Sequence, residues 1–589
     1  MWEVWEVWEL VETCEIHING EPLMEGLSDF INQRMEEWKV PGLAVAIVHD
    51  SEIIFCEGFG FRDVKKGIKV TSQTIFAIGS CTKAFTTMAM GILAERGKLD
   101  WDKPVRHYLP TFKLYDSYAS EHMTLRDLVT HRSGLPRHDA IWYNSSLTRK
   151  EIVERLQYLE PNHELRSVYQ YQNLMYMTAG YLVGEISESS WEEFVQQEIF
   201  NPLSMGDSNF SVVKSQDTEN FSLPYREKDD VVKAIPFRNI DTIGPAGSIN
   251  SNVTDMAKWL LLHQNQGNYE DKQIINPGIL TQMYTPQIVM PSSLKYPEIW
   301  HSSYGLGWNL TAYRGHNHVQ HGGGIDGFSA LTTLMPQDKI GVVVLTNLER
   351  TPLPSIITYH ICDRLLGLDE VPWNERIKSK VEEAKQAAVQ GKQNTQAQRK
   401  TDTQPSHPLE DYTGDFEHPG YGIVSIAIKD QQLTATHNSI VYELKHYHYD
   451  SFELLSEMLE DYFQLLSFFN DPKGTIQRLS IPLEPKVKDI VFERMPDQSM
   501  LTTSFMEKFV GDYDFSGQSL TILIKDNKLV VSLAGQPEIE LVPYQGTEFY
   551  FKDLPGYSIN FTTDNAGVVT QAVITQPNGV FTANKKVST

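Results

Sequence analysis

Three short motifs follow one another along the chain and restrict what it can fold into. The first, Ser-Cys-Thr-Lys at 80–83, opens a predicted helix. The second, Tyr-Gln-Asn at 171–173, lies in a loop, and the third, His-Gly-Gly-Gly at 321–324, precedes a predicted strand. A hydroxyl and an amine one helical turn apart can serve as nucleophile and base. The order of the motifs therefore predicts an acyl-transfer site built on a serine.

Length and charge limit the class of protein. At 589 residues the chain exceeds the roughly 100–200 residues of a typical domain, so more than one core is expected. The formal net charge of −25 would repel nucleic acid and anionic membranes, which argues against both as partners. Four cysteines (Cys14, Cys56, Cys81 and Cys362) have no metal-ligand spacing and are too few for a disulfide framework.

The first ten residues, MWEVWEVWEL, carry three glutamates, and no Lys or Arg precedes Arg34. A secretory signal needs a positive start and an apolar core, so we expect a cytoplasmic protein. Two explanations of the Trp-Glu repeat stay open: a helical contact within a homo-oligomer, or a stretch foreign to the natural protein. The longest apolar runs, such as 42–48 and 340–345, have strand length and are too short to span a bilayer.

Hydrophobic periodicity predicts alternating helices and strands in the N-terminal two thirds of the chain. Thr254 or Asp255 could cap one of the helices. Strands at both ends with helices between them predict a mixed sheet covered by helices on both faces. The predicted helices are 26–37, 80–96, much of 125–180 and 256–262, and the predicted strands are 43–48, 53–57, 329–335 and 341–346.

Beyond this region lie a linker and an internal repeat. Residues 375–407 are rich in Gln, Lys and Ala, which favours a partly helical linker. The segment at 412–416 (YTGDF) then matches 509–513 (FVGDY), and a strand followed by a Lys-Asp turn comes after each copy. Two such copies predict two similar antiparallel β units, either barrels or sandwiches.

Ser-x-x-Lys is a weak signal by itself, because it recurs at Ser211–Lys214 and Ser292–Lys295. The copy at Ser80 differs in that Gly79 precedes it and a long apolar helix follows. Residues three apart share a helix face, so the amine of Lys83 can reach the Ser80 hydroxyl. The alternative that Ser80 is a plain N-cap stays open.

Tyr171 and Asn173 lie in an aromatic loop, where a packed structural tyrosine is the simpler explanation. A catalytic role requires the phenol to lie within hydrogen-bond reach of Ser80 and Lys83. A cation nearby would favour the phenolate and make Tyr171 a better base.

The glycine-rich motif at 321–324 allows three interpretations. It can be a strand edge whose backbone N–H groups stabilise an oxyanion, since glycine permits a substrate to approach closely. It can also be a turn that carries a surface histidine. Finally, the spacing of His316, His318 and His321 imitates that of metallohydrolases, but Gln320 stands where an aspartate is expected. We therefore expect neither a metal nor a cofactor.

Together the three motifs resemble those of the serine β-lactamase and penicillin-binding-protein superfamily, specifically its class C-like branch of esterases and D-amino-acid peptidases. The resemblance covers about residues 27–366. The tandem C-terminal units resemble the lipocalin-like domains that follow this catalytic domain in some relatives. Further segments similar to the family are 40–46 (VPGLAVA), 74–80 (TIFAIGS), 125–135 (ending in HRSGL), 244–247 (GPAG) and 304–308 (YGLGW).

The resemblance implies an α/β (α+β) catalytic domain, in which helices flank a central antiparallel sheet, followed by all-β barrel-like domains. The expected division is an N-terminal extension at 1–26, the catalytic domain at 27–366, a linker at 367–404, and barrels at 405–498 and 503–589.

The resemblance also implies roles for individual residues. Ser80 would be the acylated nucleophile, Lys83 its proton acceptor, and Tyr171 the general base and acid. Asn173 would hold Lys83 and a substrate carbonyl. The oxyanion hole would consist of the backbone N–H groups of Ser80 and Gly324.

Gly322 and Gly323 would line the substrate site beside His321, which replaces the usual lysine of the third motif. A histidine is only partly charged near neutral pH, so a fixed cation for a substrate carboxylate is not expected there. This favours esters, amides or D-amino-acid peptides over β-lactams.

The predicted function is thus a serine hydrolase that forms an acyl-enzyme on Ser80 and acts on a small molecule or a short peptide. An alternative from a different class is a penicillin-binding sensor or receptor that is acylated without turnover. A metallohydrolase comes third. A lipase of the α/β-hydrolase type is disfavoured, because the chain contains no Gly-x-Ser-x-Gly.

Overall fold

The structure, a computed structural model, describes residues 17–18, 21–22, 24–291, 295–456 and 464–586. The Trp-Glu repeat, Cys14 and the Ser-x-x-Lys copy that begins at Ser292 fall wholly or partly outside the described residues.

A nine-stranded sheet forms the centre of the N-terminal region, with the strand order β4-β5-β6-β7-β8-β9-β1-β2-β3. Every pairing in it is antiparallel, so the mixed sheet predicted from the alternation of elements is wrong, whereas the antiparallel sheet that the resemblance implied is confirmed. The strands are β1 (Gly42–His49), β2 (Glu52–Asp63), β3 (Ile68–Lys69), β4 (Ile288–Val289), β5 (Ile299–Tyr304), β6 (Asn309–Tyr313), β7 (His316–Ile325), β8 (Phe328–Met335) and β9 (Ile340–Thr346).

The two ends of this region meet in the middle of the sheet. Strand β1 lies beside β9, with Leu43 opposite Thr346 and His49 opposite Ile340. The backbone N–H of Gly42 also donates to the side chain of Asn347, which lies 305 residues later in the chain. The sheet is therefore completed only when the last strand of the region is in place.

Helices cover both faces of the sheet, as predicted. Successive side chains of a strand point to opposite faces, and in β1 both sets are apolar. Leu43, Val45 and Ile47 pack in one core with α1 and α5, while Ala44, Ala46 and Val48 pack in the other with α2, α3 and α4. The principal helices are α1 (Leu27–Glu37), α2 (Thr82–Glu95), α3 (Asn173–Ser187), α4 (Val253–Gln264), α5 (Leu353–Leu365) and α6 (Trp373–Ala397).

Several predicted helix limits differ from the structure. Asn252 caps α4 by accepting from the N–H of Asp255 at 2.8 Å, so the predicted caps at Thr254 and Asp255 are wrong. The predicted linker begins as the 25-residue helix α6. Its Trp373 is buried in the core that the sheet forms with α1 and α5. None of the helices in the described ranges is long and apolar enough to cross a membrane. Shorter helices lie at Val105–Tyr108, Ser117–His122, Leu125–Leu128, Arg149–Arg155, Trp191–Val195, Val212–Gln216, Gly244–Gly247, Pro277–Met283 and Thr503–Met506.

The repeat forms two closed barrels of eight antiparallel strands each, which settles the choice between barrel and sandwich. The domain boundaries at 405–498 and 503–589 stay a prediction, and the strands of the two barrels lie inside them. The first barrel comprises Gly414–His418, Gly422–Lys429, Gln432–His437, Ile440–His448, Ser451–Leu455, Leu465–Asn470, Ile476–Ile481 and Ile490–Arg494. The second comprises Gly511–Phe515, Gln518–Lys525, Lys528–Leu533, Ile539–Gln545, Glu548–Phe551, Ser558–Thr563, Val569–Gln576 and Gly579–Lys585.

Candidate active site

Ser80 lies in a 3₁₀ turn, Gly79–Cys81, that leads directly into α2. The turn packs against the end of β7 at a distance that only glycines permit. Gly79 has a φ of +51°, and a Cβ built on it would lie 2.7 Å from the backbone nitrogen of Gly324. A Cβ on Gly323 would lie 1.8 Å from the carbonyl oxygen of Ile78. The glycines of the third motif therefore bring β7 against the turn that carries Ser80.

Lys83 follows on the first turn of α2 and is fully buried. Its Nζ lies 3.0 Å from Ser80 Oγ, 2.9 Å from Asn173 Oδ1 and 2.7 Å from the carbonyl oxygen of Ala246. Burial, assisted by the charge of Arg137, holds the pKa of Lys83 well below its ordinary value. A neutral amine has two N–H bonds, which Asn173 and Ala246 accept, and its lone pair then faces the Ser80 hydroxyl.

Tyr171 completes the group from the loop that precedes α3. Its phenol lies close enough to the Ser80 side chain for Ser80 to lower the pKa of the tyrosine, and its ring centroid lies 4.8 Å from Lys83 Nζ. Burial raises the pKa of Tyr171 above its ordinary value and outweighs the lowering by Ser80 and Arg137. The expected phenolate is thus not favoured, and the phenol keeps its proton at neutral pH. The structure brings Ser80, Lys83, Tyr171 and Asn173 together.

His131, which the sequence analysis assigned no role, holds the backbone on both sides of Tyr171. Its carbonyl oxygen accepts from the N–H of Gln170 at 2.7 Å, and its Nδ1 accepts from the N–H of Gln172 at 3.0 Å. Its ring centroid lies 4.2 Å from that of Tyr171, and its φ of 54° is in the left-handed region. The sequence pointed to His131 only through its place in the HRSGL segment. Local periodicity carries no information about the contacts of this residue with Tyr171.

The last five residues of β7 present a free edge to the site. Strand β7 pairs with β8 as far as Ile325 but with β6 only as far as Gln320. On this edge the Cys81 thiol donates to the carbonyl oxygen of His321, and burial raises the pKa of Cys81 to about 11. Nothing lies within 4 Å of a Cβ built on Gly324, so the strand is open to the cleft there.

His321 does not supply the positive charge that the third motif usually carries. The side chain is buried, with 2% of the residue exposed, and burial lowers its pKa to about 3. Its Nδ1 lies 2.7 Å from the carbonyl oxygen of Gly322 and must donate, so Nε2 accepts from the Tyr304 hydroxyl at 3.0 Å. The expected partial charge near neutral pH is therefore wrong, because the ring sits inside the protein.

The three histidines of the third segment do not converge. Along β7, His316 and His318 lie on the face opposite His321. His316 pairs with Asp338 at 2.9 Å, and His318 lies 3.1 Å from the hydroxyl of Thr311. Within the ranges given above, no cluster of His, Cys, Asp and Glu side chains is arranged to hold a metal ion.

A cleft of about 1510 Å³ opens in front of Ser80's neighbours Tyr171 and Gly324. Its walls come from three parts of the chain, namely the N-terminal region that contains the sheet, helix α6 and the first barrel. Arg137 and Tyr143 line the cleft from the first of these parts. Lys385 and Lys392 line it from α6, and Tyr442 and Leu483 line it from the barrel.

Comparison with known proteins places this geometry in a family. The beta-lactamase family model matches residues 27–360, and a domain of unknown function (DUF3471) matches 398–494, which includes the first barrel. Unguisins hydrolase ungD′ of Aspergillus campestris is 27% identical over 436 residues, covering 69% of this chain and 78% of that protein. Protein flp of Staphylococcus aureus is 24% identical over 338 residues, covering 56% of this chain and 65% of that protein.

A solved structure shares the fold. The octameric penicillin-binding protein homologue from Pyrococcus abyssi aligns with a TM-score of 0.52 at 23% identity, and the alignment covers 79% of this chain and 99% of that one. Since the family model spans more than half of the sequence, the chain belongs to the beta-lactamase family, within the serine β-lactamase and penicillin-binding-protein superfamily that its three motifs indicated.

Proposed function

We propose that the protein is a serine hydrolase that works through an acyl-enzyme on Ser80. The observation that carries the proposal is the 3.0 Å approach of Lys83 Nζ to Ser80 Oγ in surroundings that favour the neutral amine. An amine with a depressed pKa can take a proton from an adjacent hydroxyl and so activate it as a nucleophile.

The first half of the reaction forms the acyl-enzyme. Ser80 Oγ attacks the acyl carbon while its proton passes to Lys83, and the backbone N–H groups of Ser80 and Gly324 stabilise the oxyanion. Tyr171, which its raised pKa keeps protonated, passes its proton to the leaving group and regains one from Lys83. Water then attacks the ester on Ser80, with the same groups moving its proton in the reverse direction, and releases the acid.

The proposed substrates are esters, amides or D-amino-acid peptides of small to short-peptide size. A cleft of about 1510 Å³ has room for such a peptide. Two relatives of the chain are named as hydrolases, the unguisins hydrolases of Aspergillus campestris and Aspergillus violaceofuscus, the second 27% identical over 445 residues. Both relationships support hydrolysis by this site and leave the acyl group open.

The test compares Ser80→Ala with Ser211→Ala on p-nitrophenyl butyrate. Ser211 begins a second Ser-x-x-Lys sequence within the described residues. Its hydroxyl caps the short helix Val212–Gln216 by accepting from the N–H of Val213, so its loss should leave turnover intact. Ser80→Ala should lose the reaction down to a residual rate, and mass spectrometry of the wild-type protein should find the acyl group on Ser80. Full hydrolysis by Ser80→Ala would refute the proposal. A stoichiometric burst without turnover would instead identify the receptor that is acylated and not released.

A further inference from the structure

Arg137 brings a cation with unused hydrogen-bond donors to the catalytic tyrosine. Its guanidinium carbon lies 5.3 Å from the centroid of the Tyr171 ring, and half of its side chain (50%) is exposed in the cleft. The Nε atom donates to Asp139 Oδ2 at 2.5 Å. Within the described part of the chain, neither terminal nitrogen, Nη1 nor Nη2, donates to another residue. The outer edge of the guanidinium therefore remains available to a ligand.

The other basic side chains close to the reactive serine are buried, unlike Arg137. Burial lowers the pKa values of Lys83, His131 and His321, which favours the neutral form of all three side chains. The guanidinium of Arg137 also lowers the pKa of Lys83, while Asp139 and Cys81 raise it. The third motif thus offers no cation, whereas the guanidinium of Arg137 lies beside Tyr171.

We propose that Arg137 binds a carboxylate of the substrate close to the scissile acyl group. The proposal rests on the acyl-transfer function above and narrows it to acidic substrates, such as an acyl peptide with a free terminal carboxylate. A guanidinium binds a carboxylate through two parallel N–H donors, and the Nη1–Nη2 edge supplies that pair while Asp139 occupies Nε. Asp139 in this way fixes the orientation of the free edge.

The first barrel holds the loop that carries this arginine. His138, between Arg137 and Asp139, donates its N–H to Glu484 at 2.9 Å. Its Nε2 faces the carbonyl oxygen of Glu160 and must donate, so its Nδ1 accepts from the Tyr421 hydroxyl at 2.6 Å. Tyr421 and Glu484 both belong to the barrel, so they act as positioning residues for Arg137.

Binding is measured apart from turnover by calorimetry on the full-length Ser80→Ala protein. Two ligand pairs test the two sides of the scissile bond: acetyl-D-Ala-D-Ala against its C-terminal amide, and p-nitrophenyl hydrogen adipate against its methyl ester. At least one free acid should bind roughly tenfold more tightly than its capped partner, the scale of one charge-assisted hydrogen bond. Adding Arg137→Gln should abolish that preference, while Arg106→Gln, on the exposed surface outside the cleft, should keep it.

Equal affinity for both members of both pairs would overturn the proposal, as would a preference that survives Arg137→Gln. Neither result depends on whether Ser80 is the nucleophile, so a failure of the hydrolase assignment is recognised separately by activity of Ser80→Ala. Tyr421→Phe should reduce the preference for the acid, because the loop loses its contact with the barrel. The matched control is Tyr544→Phe. The hydroxyl of Tyr544, in the second barrel, donates to Asp471, so its removal should leave the preference for the acid unchanged.

Discussion

Lys83 Nζ lies 3.0 Å from Ser80 Oγ, and its other two hydrogen bonds go to uncharged oxygens, an amide and a backbone carbonyl. No carboxylate among the described residues bonds to this nitrogen, so nothing in direct contact compensates the cost of burying a positive charge. The pocket therefore favours the form of the lysine that can accept a proton.

The pH dependence of the reaction should follow from this. Lys83 can act as a base only when neutral, and burial lowers its pKa well below the ordinary value. Consequently kcat/KM should be flat at high pH and fall as the pH drops through this lowered pKa. Lys83→Met should lower kcat/KM by roughly 10²–10⁴-fold and remove the acidic limb. Profiles from pH 4 to 10 on p-nitrophenyl butyrate measure both effects, and an acidic limb unchanged in Lys83→Met would assign it to another group.

His131 should matter for kcat more than for KM, because it positions Tyr171 through Gln170 and Gln172. His131→Ala removes the acceptor for Gln172 N–H, and a misplaced phenol can cost roughly 10²-fold in rate. His131→Asn keeps an acceptor and tolerates the left-handed φ of 54°, so it should recover much of the loss. Steady-state kinetics on both variants, with thermal melts to check folding, provide the measurement. Equal losses in both variants would argue against this contact.

His321 should remain neutral across the physiological range. Its pKa is lowered to about 3 by burial, so its ring resonances should not titrate between pH 5 and 8. Imidazole ¹H–¹⁵N spectra, assigned by comparison with His321→Gln, test this directly. A midpoint near pH 6.5 would show that the ring is solvated and would restore the cation that the third motif lacks here.

Two adjacent glycines should respond differently to alanine. In Gly323→Ala the new Cβ would lie 1.8 Å from the Ile78 carbonyl oxygen, so the strand must shift and stability should fall by about 1–3 kcal/mol. In Gly324→Ala nothing lies within 4 Å, and stability should change by less than about 0.5 kcal/mol. Denaturant titrations compare the two, and a similar cost at both positions would mean that the turn and β7 are not in close contact.

Removal of the second barrel should leave the site intact. Its core, around Phe509, Tyr513 and Phe561, is separate from the other cores, and none of its residues that the structure describes lines the cleft. A chain that ends after Pro496 should therefore keep its kcat/KM on both ester and peptide substrates. A selective loss on the larger substrates would give this barrel a part in binding them.

Local sequence was informative where local physics decides the outcome. The apolar runs at 43–48, 329–335 and 341–346 became strands because both faces of the sheet are buried and continuous apolar runs result. The Lys-Asp turns of the repeat became hairpin turns, with positive φ at Asp430 and Asp526. The three motifs likewise named the residues that meet around Ser80.

What local hydrophobic periodicity did not predict depends on contacts between distant segments. Packing between distant segments sets the direction of β9 relative to β1. It also sets the contacts of His131 around Tyr171 and the neutral state of His321. Periodicity does not encode such packing. His321 shows this most directly, since its spacing in the motif suggested a partial charge and only its burial removes it.

The pairing of β1 with β9 has a consequence for how the protein is made. On the ribosome, β1 emerges first but has no neighbour on its β9 side until about three hundred further residues have been synthesised. Pairing of segments so far apart is slow, and an unpaired apolar strand is prone to aggregation. Nascent chains that stop short of residue 340 would expose this strand and become clients of chaperones.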